Sequence, residues 1–414
     1  MQAPLHQWPI LCIFVSMTRV AIIGAGAAGC FAAANIRGAQ VDVYEAAPRP
    51  MAKLAVTGGG RCNITNSFEH LRSVDEAYPR GARLMKRALK EFSPQDTLRW
   101  FTEAGVSGFV TEPDGCVFPA SQDAMEIVRT LTRAMSDAGA QLHCSKKAVS
   151  LSRVDDAWRL GFADGTSAVA DAVLITVGGA PRGLPLMDGL DIPWVQCVPS
   201  LFTFTVNDAA LRALMGLVVP AQLAIPGTSF RSQGQLLITD WGLSGPAALR
   251  LSSYAARYLH DNGYNAPLSI NWTALPQAEV ETELKAFVSD NRQKLLSSSA
   301  PFQLPLRLWQ YIIGLAGLRA DIRRGELGGK GFARLVAMLT ATPSRIDGRN
   351  HFREEFVTAG GIDLSSVDPA TMQSRLHPGL FFAGEILDID AITGGFNLQA
   401  AWSTAWLAVK CITV

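Results

Sequence analysis

The run VAIIGAGAAGCFAAA, Val20 to Ala34, constrains the fold more than any other stretch of this chain. A short apolar segment breaks into Gly24, Ala25, Gly26, Ala27, Ala28 and Gly29 and resumes as an alanine-rich segment, the pattern of a strand that turns sharply into a helix. The three glycines have separate tasks. Gly24 permits the tight turn, Gly26 lets the backbone approach a pyrophosphate, and Gly29 lets the helix pack closely on the strand. Phosphate oxygens then meet free N–H groups at the positive end of a helix. A second strand, Val41 to Tyr44, ends at Glu45, about 20 residues beyond, where an acid accepts a ribose hydroxyl and repels a 2′-phosphate. A turn built for packing alone needs the glycines but neither the second strand nor its acid, so the stretch reads as the start of a dinucleotide-binding βαβ unit.

At 414 residues the chain is longer than one ordinary core serves, and two or three domains are expected. A hydrophobic content of 48% with 18% charged residues describes a globular protein with large cores. The 37 basic and 36 acidic residues leave a net charge of +1, so the totals carry no electrostatic footprint for nucleic acid or anionic lipid. The expected partner is a small-molecule substrate, with neither nucleic acid nor membrane. Cys12, Cys30, Cys62, Cys116, Cys144, Cys197 and Cys411 are scattered, odd in number and without a C-x-x-C pair, which fits a reducing compartment. The six histidines show no ligand spacing, so no metal is expected. No apolar run is long enough to span a bilayer, and a cytoplasmic location is expected. Residues 1–16 precede the natural opening of such a fold at Met17-Thr18-Arg19 and lack the basic flank and cleavage site of a signal peptide; they read as an upstream start or an extension.

The segment Lys53 to Asn66, KLAVTGGGRCNITN, combines three consecutive glycines with polar residues. Gly58, Gly59 and Gly60 expose backbone amides that can wrap a phosphate or a flavin edge, Arg61 supplies charge, and Asn63 supplies a donor and an acceptor. Cys62 reads as a small packed residue. Two helices follow. Ser93-Pro94-Gln95-Asp96 gives an N-cap, an N1 proline and an N3 acid ahead of Leu98 and Phe101, and Ser121 is expected to start another with Met125, Ile127, Val128, Leu131 and Met135 on its apolar stripe. Short β-rich runs come next, with a hairpin signal at Asp164-Gly165, and lead to a buried strand from Asp171 that ends at Gly178-Gly179.

Between about Ile192 and Asn350 the texture changes. Leu201 to Val206, Gln222 to Ile225, Gln235 to Thr239 and Leu268 to Trp272 read as antiparallel strands, and Ala278 to Leu339 reads mainly as helices. Gly325 to Gly331 resembles a phosphate loop but has Arg324 where the first glycine belongs and Gly331 where Ser or Thr is needed. No second G-x-G-x-x-G provides a separate nicotinamide domain. At the end of the chain, Leu380 to Ala383 reads as an apolar strand running into Gly384-Glu385, and Gly394-Gly395 opens a final helix. In a flavoprotein the acid would accept from a ribityl or ribose hydroxyl, and the helix start would favour negative charge on the ring. Asp388 and Asp390 read as loop caps.

The combination of GAGAAG, KLAVTGGGRCNITN, WGLSGPAAL (Trp241 to Leu249), TAGGIDL (Thr358 to Leu364) and GLFFAGEILDIDAITGGFNLQAA (Gly379 to Ala401) resembles the BaiN/RdsA-type family of FAD-dependent oxidoreductases, also known as aminoacetone-oxidase-family flavoproteins. The resemblance implies an α/β fold: a Rossmann-like FAD-binding domain over residues 18–191 and 351–414, interrupted by an inserted domain over 192–350. That insert would have a β-barrel-like part and a helical part at about 276–345. It also implies bound FAD and, for some members, reduction of activated carbon–carbon double bonds by a nicotinamide donor. On this reading Gly24 to Gly29 take the pyrophosphate and Glu45 the adenosine ribose. Arg61, Asn63, Gly384, Glu385, Gly394, Gly395, Phe396 and Asn397 take the flavin half, with Lys53, Gly58, Gly59, Gly60, Val149 and Gly178 completing the cofactor set. Three positions depart from the family pattern. Asp240 stands where histidine is usual, which weakens any assignment of an insert histidine as proton donor, and Ala52 and Cys116 stand where a basic residue is usual. No catalytic acid is assigned. The reading is an FAD-dependent reductase using NAD(P)H; the alternatives are an oxygen-using flavin oxidase or monooxygenase, and a non-redox FAD protein that binds a macromolecule.

Overall fold

A computed structural model describes residues 18–180, 184–350 and 357–412; the extension at residues 1–16 lies outside them. Five parallel strands form the central sheet in the order Leu380–Phe382, Ala172–Ile175, Arg19–Ile23, Gln40–Tyr44, Gln141–His143. The strand that carries the glycine motif therefore sits in the middle, and all but its first residue are buried, as an apolar run without alternation requires. Helix Ala27–Asn35 follows the glycine turn, and the closing helix Phe396–Ile412 packs beside it. Phe31 is the hinge of that packing: its ring lies 5.3 Å from Phe92, 4.8 Å from Trp100 and 5.5 Å from Trp402, centroid to centroid.

Helix Pro94–Glu103 begins as its sequence dictates, with reciprocal bonds between Ser93 and Asp96. The next helix differs. It spans Ala124–Asp137 and is capped by Asp123, whose carboxylate accepts the Met125 N–H at 2.9 Å. Ser121 is shut out because Gln122 takes a left-handed φ of +53°, which puts a turn between Ser121 and the helix. Met125 accordingly faces solvent instead of joining the stripe. The Asp164-Gly165 turn joins Ala157–Phe162 to Ser167–Ala170 in a three-stranded antiparallel sheet with Ala148–Val154.

Two antiparallel strands, Trp194–Ser200 and Val357–Ile362, lead out of the Rossmann domain and back into it. What they carry has its own core, from Phe202 to Ile346. Its sheet has six antiparallel strands in the order Phe204–Thr205, Gly242–Ser244, Arg231–Ile238, Val218–Ala224, Asn265–Asn271, Thr342–Asp347. Alternate residues of Val218–Ala224 and Asn265–Asn271 face inward, the period-2 pattern of a sheet with one wet face. The first strand bends round to the last: the Thr205 N–H donates to the Gly348 carbonyl at 2.9 Å and Phe204 bridges Arg349, which nearly closes a barrel. Helices Gln277–Asp290, Leu306–Leu315 and Gly329–Ala341 cover it. Trp272 and Trp309 are fully buried there, and their ring N–H groups donate to Thr342 Oγ1 and the Leu296 carbonyl. Gly331, in the segment resembling a phosphate loop, is a packing glycine: a Cβ there would lie 2.9 Å from Leu327 and 3.1 Å from Leu318.

Candidate functional site

The glycine turn is shaped by contacts that only glycine tolerates. Gly24 has a φ of +105°, its N–H donates to the Tyr44 carbonyl at 2.8 Å, and a Cβ on it would sit 2.6 Å from the Thr176 carbonyl oxygen. A Cβ on Gly29 would sit 2.0 Å from the Gly24 carbonyl oxygen, so helix and strand approach as closely as backbone allows. Thr176 fixes this arrangement by donating its hydroxyl to the Gly24 carbonyl at 2.7 Å. Gly26 is different. Its backbone is extended, at φ −82° and ψ −166°, and the only protein atom near an added Cβ is the Thr176 carbonyl oxygen at 3.9 Å. Among the described residues no side chain caps the helix that starts after it. Gly26 therefore faces open space at an uncapped helix start, a setting that can hold an anion.

Glu45 is pinned over the same turn. One carboxylate oxygen accepts the Ala25 N–H at 2.8 Å and the other the Ala47 N–H at 2.8 Å. Each oxygen keeps a second lone pair for a hydroxyl. Beyond it, Met51 takes a left-handed φ of +54° and donates its N–H to the Ala25 carbonyl. Gly58, Gly59 and Gly60 are all left-handed, at +58°, +69° and +84°, and form a tight coil that returns the chain to Asn63. Cys62 inside that coil is buried, and burial pushes its thiol up to about 12.

The carboxyl-terminal segment faces these elements across a cavity of about 420 Å³. Glu385 holds Lys53 at 2.8 Å and accepts the Thr358 N–H at 2.9 Å. The Asn66 side chain donates to the Gly394 carbonyl at 2.9 Å, and a Cβ on Gly395 would fall 2.6 Å from Asn63 Oδ1, so the two glycines are where the loop meets the triple-glycine segment. The Asn397 side chain bonds both backbone groups of Ala391 and fixes the start of the closing helix.

Of the residues singled out from sequence, Gly24, Ala25, Gly26, Ala27, Ala28, Glu45, Lys53, Gly58, Asn63, Gly178, Gly384, Glu385, Gly394, Gly395 and Asn397 line this cavity. Six do not. Gly29 is the packing contact just described, and Gly59 and Gly60 shape the coil from outside. Arg61 lies against the Phe118 ring at 4.0 Å and pairs with Glu112 at 2.7 Å. Val149 sits half exposed on strand Ala148–Val154. Phe396 is buried against Phe68, and its carbonyl accepts the Tyr78 hydroxyl at 2.8 Å.

Sequence reasoning missed Arg49, Met51, Thr176, Leu201, Val357 and Ile389, which also line the cavity. Arg49, a base between two prolines just after Glu45, carried a readable signal; Leu201 and Val357 reach the site only through the pairing of distant link strands. Asp388 and Asp390 are not loop caps. Asp390 is wholly buried on Arg80, and Asp388 meets Arg257 of the insert at 2.8 Å. Among the departures from the family pattern, Ala52 lines the cavity, Asp240 is exposed, and Cys116 lies in a buried strand where desolvation raises its thiol to about 12.

Known proteins resemble this chain over nearly its whole length. The chain is 28% identical over 403 residues to a ribosomal RNA dihydrouridine synthase of Escherichia coli, covering 94% of this chain and 96% of that protein. It is 28% identical over 410 residues to a 3-dehydro-bile acid delta(4,6)-reductase of Clostridium scindens, covering 95% and 98%. Among solved structures, a 3-ketosteroid delta1-dehydrogenase from Sterolibacterium denitrificans superposes with a TM-score of 0.51 at 14% identity, over 96% of this chain and all of that one, a likeness of fold. The profile of the HI0933-like protein Rossmann domain matches residues 18–411. The chain therefore belongs to the HI0933-like family of FAD-binding Rossmann proteins, the BaiN/RdsA type that its motifs resemble.

Proposed function

We propose that this protein is an FAD-dependent reductase that saturates a carbon–carbon double bond conjugated to a carbonyl, with hydride drawn from NAD(P)H added to one carbon and a proton from solvent to the other. The observation that carries the reading is the cavity itself. It joins an open, uncapped helix start at Gly26, with Glu45 beside it, to a second helix start at Gly395 to Asn397, and Glu385, paired with Lys53, also lines it. That donor and acceptor set fits FAD: backbone amides for a pyrophosphate, Glu45 for the adenosine ribose, and Glu385 with Lys53 for the ribityl side.

Bound there, FAD supplies a two-electron carrier that accepts hydride from one partner and yields it to another. The chain's own residues do the rest. The amide end of the closing helix, at Gly395 to Asn397, would favour negative charge on a reduced flavin held near it. Leu201, Val357 and Ile389 give that cavity an apolar wall that would keep water from a reacting centre beside it. Choice of a conjugated double bond draws on the relatives. One is named as a reductase of delta(4,6) bonds in a 3-dehydro-bile acid and the other as a maker of dihydrouridine, and the step common to both names is saturation of a ring double bond next to a carbonyl.

The test is an anaerobic titration of purified, FAD-loaded protein with NADH and then NADPH, read in the visible flavin spectrum. Stoichiometric bleaching supports the reductase and ranks the donors. A flavin that stays oxidised with both refutes the nicotinamide-linked reading. Fast reoxidation by air at turnover rates, with no rate on conjugated ketones, moves the assignment to an oxidase.

A further inference from the structure

The Asp390 carboxylate is completely buried, yet three separate elements reach it or its partner. The Arg80 guanidinium pairs with both its oxygens, from the loop after Ala77 in the Rossmann domain. The Ser200 hydroxyl donates to it at 2.9 Å from the end of the outgoing link strand. Arg80 is itself shared, because its second nitrogen donates at 2.7 Å to the Ser253 carbonyl in helix Gly245–Tyr254 of the insert. Burial pushes the Asp390 carboxyl up, and Arg80 and Ser200 pull against it.

The neighbours of these residues are cavity walls. Ile389 adjoins Asp390, Leu201 adjoins Ser200, and both line the cavity. Each is held in a constrained setting. Leu201 has a left-handed φ of +56°, and the next N–H, that of Phe202, donates to Ser252 at 2.9 Å. Ile389 lies over Gly81, where a Cβ would approach it to 2.5 Å. Around this centre the insert also bonds to the Rossmann domain through Arg257 to Asp388 at 2.8 Å and the Tyr254 hydroxyl to the Glu76 carbonyl at 3.0 Å. A buried ion pair is a poor device for stability alone, since apolar side chains of the same volume serve as well or better. Its distinguishing property is that it has one geometry.

We infer that Arg80 is a positioning residue. With Asp390, Ser200 and the Ser253 carbonyl it forms a buried latch that sets the wall contributed by the flavin-side loop, Ile389, against the wall contributed by the link strand, Leu201. The inference rests on the FAD reading for its functional meaning, while the latch itself is a property of the protein without cofactor. When the latch is intact the insert and the flavin-side loop move as one body, and an acceptor between them meets a fixed wall. When it is cut the two walls part and the cofactor end of the cavity loosens.

The test compares wild type with the double variant Arg80→Gln/Asp390→Asn, which removes both charges without leaving one buried alone, and with Ser200→Ala, which keeps the ion pair and cuts only the arm to the link strand. Lys410→Ala, which cuts an exposed pair with Glu91 that involves neither segment, is the control. Amide hydrogen exchange is followed over residues 386–395 and 197–203 in the cofactor-free protein, and FAD affinity by flavin fluorescence. The expected result is about tenfold faster exchange in both segments together in the double variant, with FAD affinity lowered about tenfold, and faster exchange at 197–203 in Ser200→Ala. Lys410→Ala should leave both segments close to wild type. A folded double variant whose exchange is unchanged, or faster at 386–395 alone, overturns the latch; should that variant not fold, unchanged exchange at 197–203 in Ser200→Ala overturns it instead. Wild-type protein that refuses FAD, with coupled exchange in the variants, sinks the cofactor reading and leaves the latch standing.

Discussion

Replacing Gly26 and Gly29 separately by alanine divides the glycine motif into a part that folds the protein and a part that binds. At Gly29 the new methyl would stand 2.0 Å from the Gly24 carbonyl oxygen and 2.6 Å from the Thr176 hydroxyl, so helix and strand must separate by more than an ångström. Overpacking of this kind destabilises by about 1–3 kcal/mol, and the strained Thr176 bond to Gly24 adds roughly 1 kcal/mol. A fall of about 3 kcal/mol lowers the midpoint of thermal unfolding by roughly 3–4 °C in a protein of this size. At Gly26 the extended backbone accepts a side chain and the methyl meets nothing closer than 3.9 Å. Alanine there restricts the unfolded chain and is expected to stabilise the cofactor-free protein by about 0.4–1 kcal/mol. The same methyl occupies the space where a pyrophosphate would approach the amides, and losing one hydrogen bond to a charged group, about 1.5–3 kcal/mol, weakens FAD binding about ten- to 150-fold. Thermal unfolding with and without FAD reads both effects. At FAD one hundred times the wild-type Kd the cofactor adds about 2.7 kcal/mol, and a hundredfold loss of affinity leaves about 0.4 kcal/mol. The reasoning fails if Gly26→Ala is stabilised by FAD as wild type is, or if its cofactor-free form melts as early as Gly29→Ala.

Three further outcomes are expected. Glu45→Gln keeps one acceptor for two backbone N–H groups and leaves the other orphaned, so it should lose about 1–3 kcal/mol of stability along with FAD affinity, measured by denaturant unfolding and flavin fluorescence. Gln399 accepts from Thr65 and Thr97 and donates to the Phe92 carbonyl and Ser403, all buried; Gln399→Leu should cost about 2–4 kcal/mol in the same assay, and a neutral result would show that the network carries no net stability. Burial raises Cys30 and Cys62 to about 12, so the folded state keeps thiol protons that the unfolded state loses from about pH 8.5 upward. Stability should therefore fall as pH rises through that range, by about 1–2 kcal/mol for each thiol at pH 10, and a flat profile between pH 8 and 10 would contradict the burial of these groups.

The parts of the site that were legible in the sequence are those where backbone geometry permits only glycine or where a motif closes locally. Gly24 and Gly29 announce themselves because any Cβ would collide, and Glu45 because one strand separates it from the turn it caps. Ser93 and Asp96 form a complete signal within four residues. Ser121 misled because a left-handed residue intervened, and a single φ angle has no spacing signature. Asp388 and Asp390 misled for a different reason. Acids in a glycine-rich loop ordinarily bond their own backbone, but their partners here, Arg257 in the insert and Arg80 in the first part of the Rossmann domain, are distant in the chain and meet them only in the folded protein. Arg61 shows the converse case, a charged residue in a cofactor motif that the fold turns toward Phe118 and Glu112.

The placement of the last strand has a consequence for how the chain comes off the ribosome. Strand Leu380–Phe382 is the edge partner of Ala172–Ile175, and the Trp402 ring N–H in the closing helix seeks the Ile64 carbonyl, 338 residues earlier. Until that final segment emerges, Ala172–Ile175 is an unpaired apolar edge and the Phe31 face lacks its Trp402 cover, while the barrel-like insert already has all its strands. Synthesis thus runs from an open Rossmann half, through a finished insert, to a late closure in which the sheet and the cofactor cavity are completed in the same event. Nascent chains stalled before Leu380 should accumulate with a folded insert and a sticky sheet edge, unable to load cofactor, and for most of translation this protein would depend on whatever shields that edge.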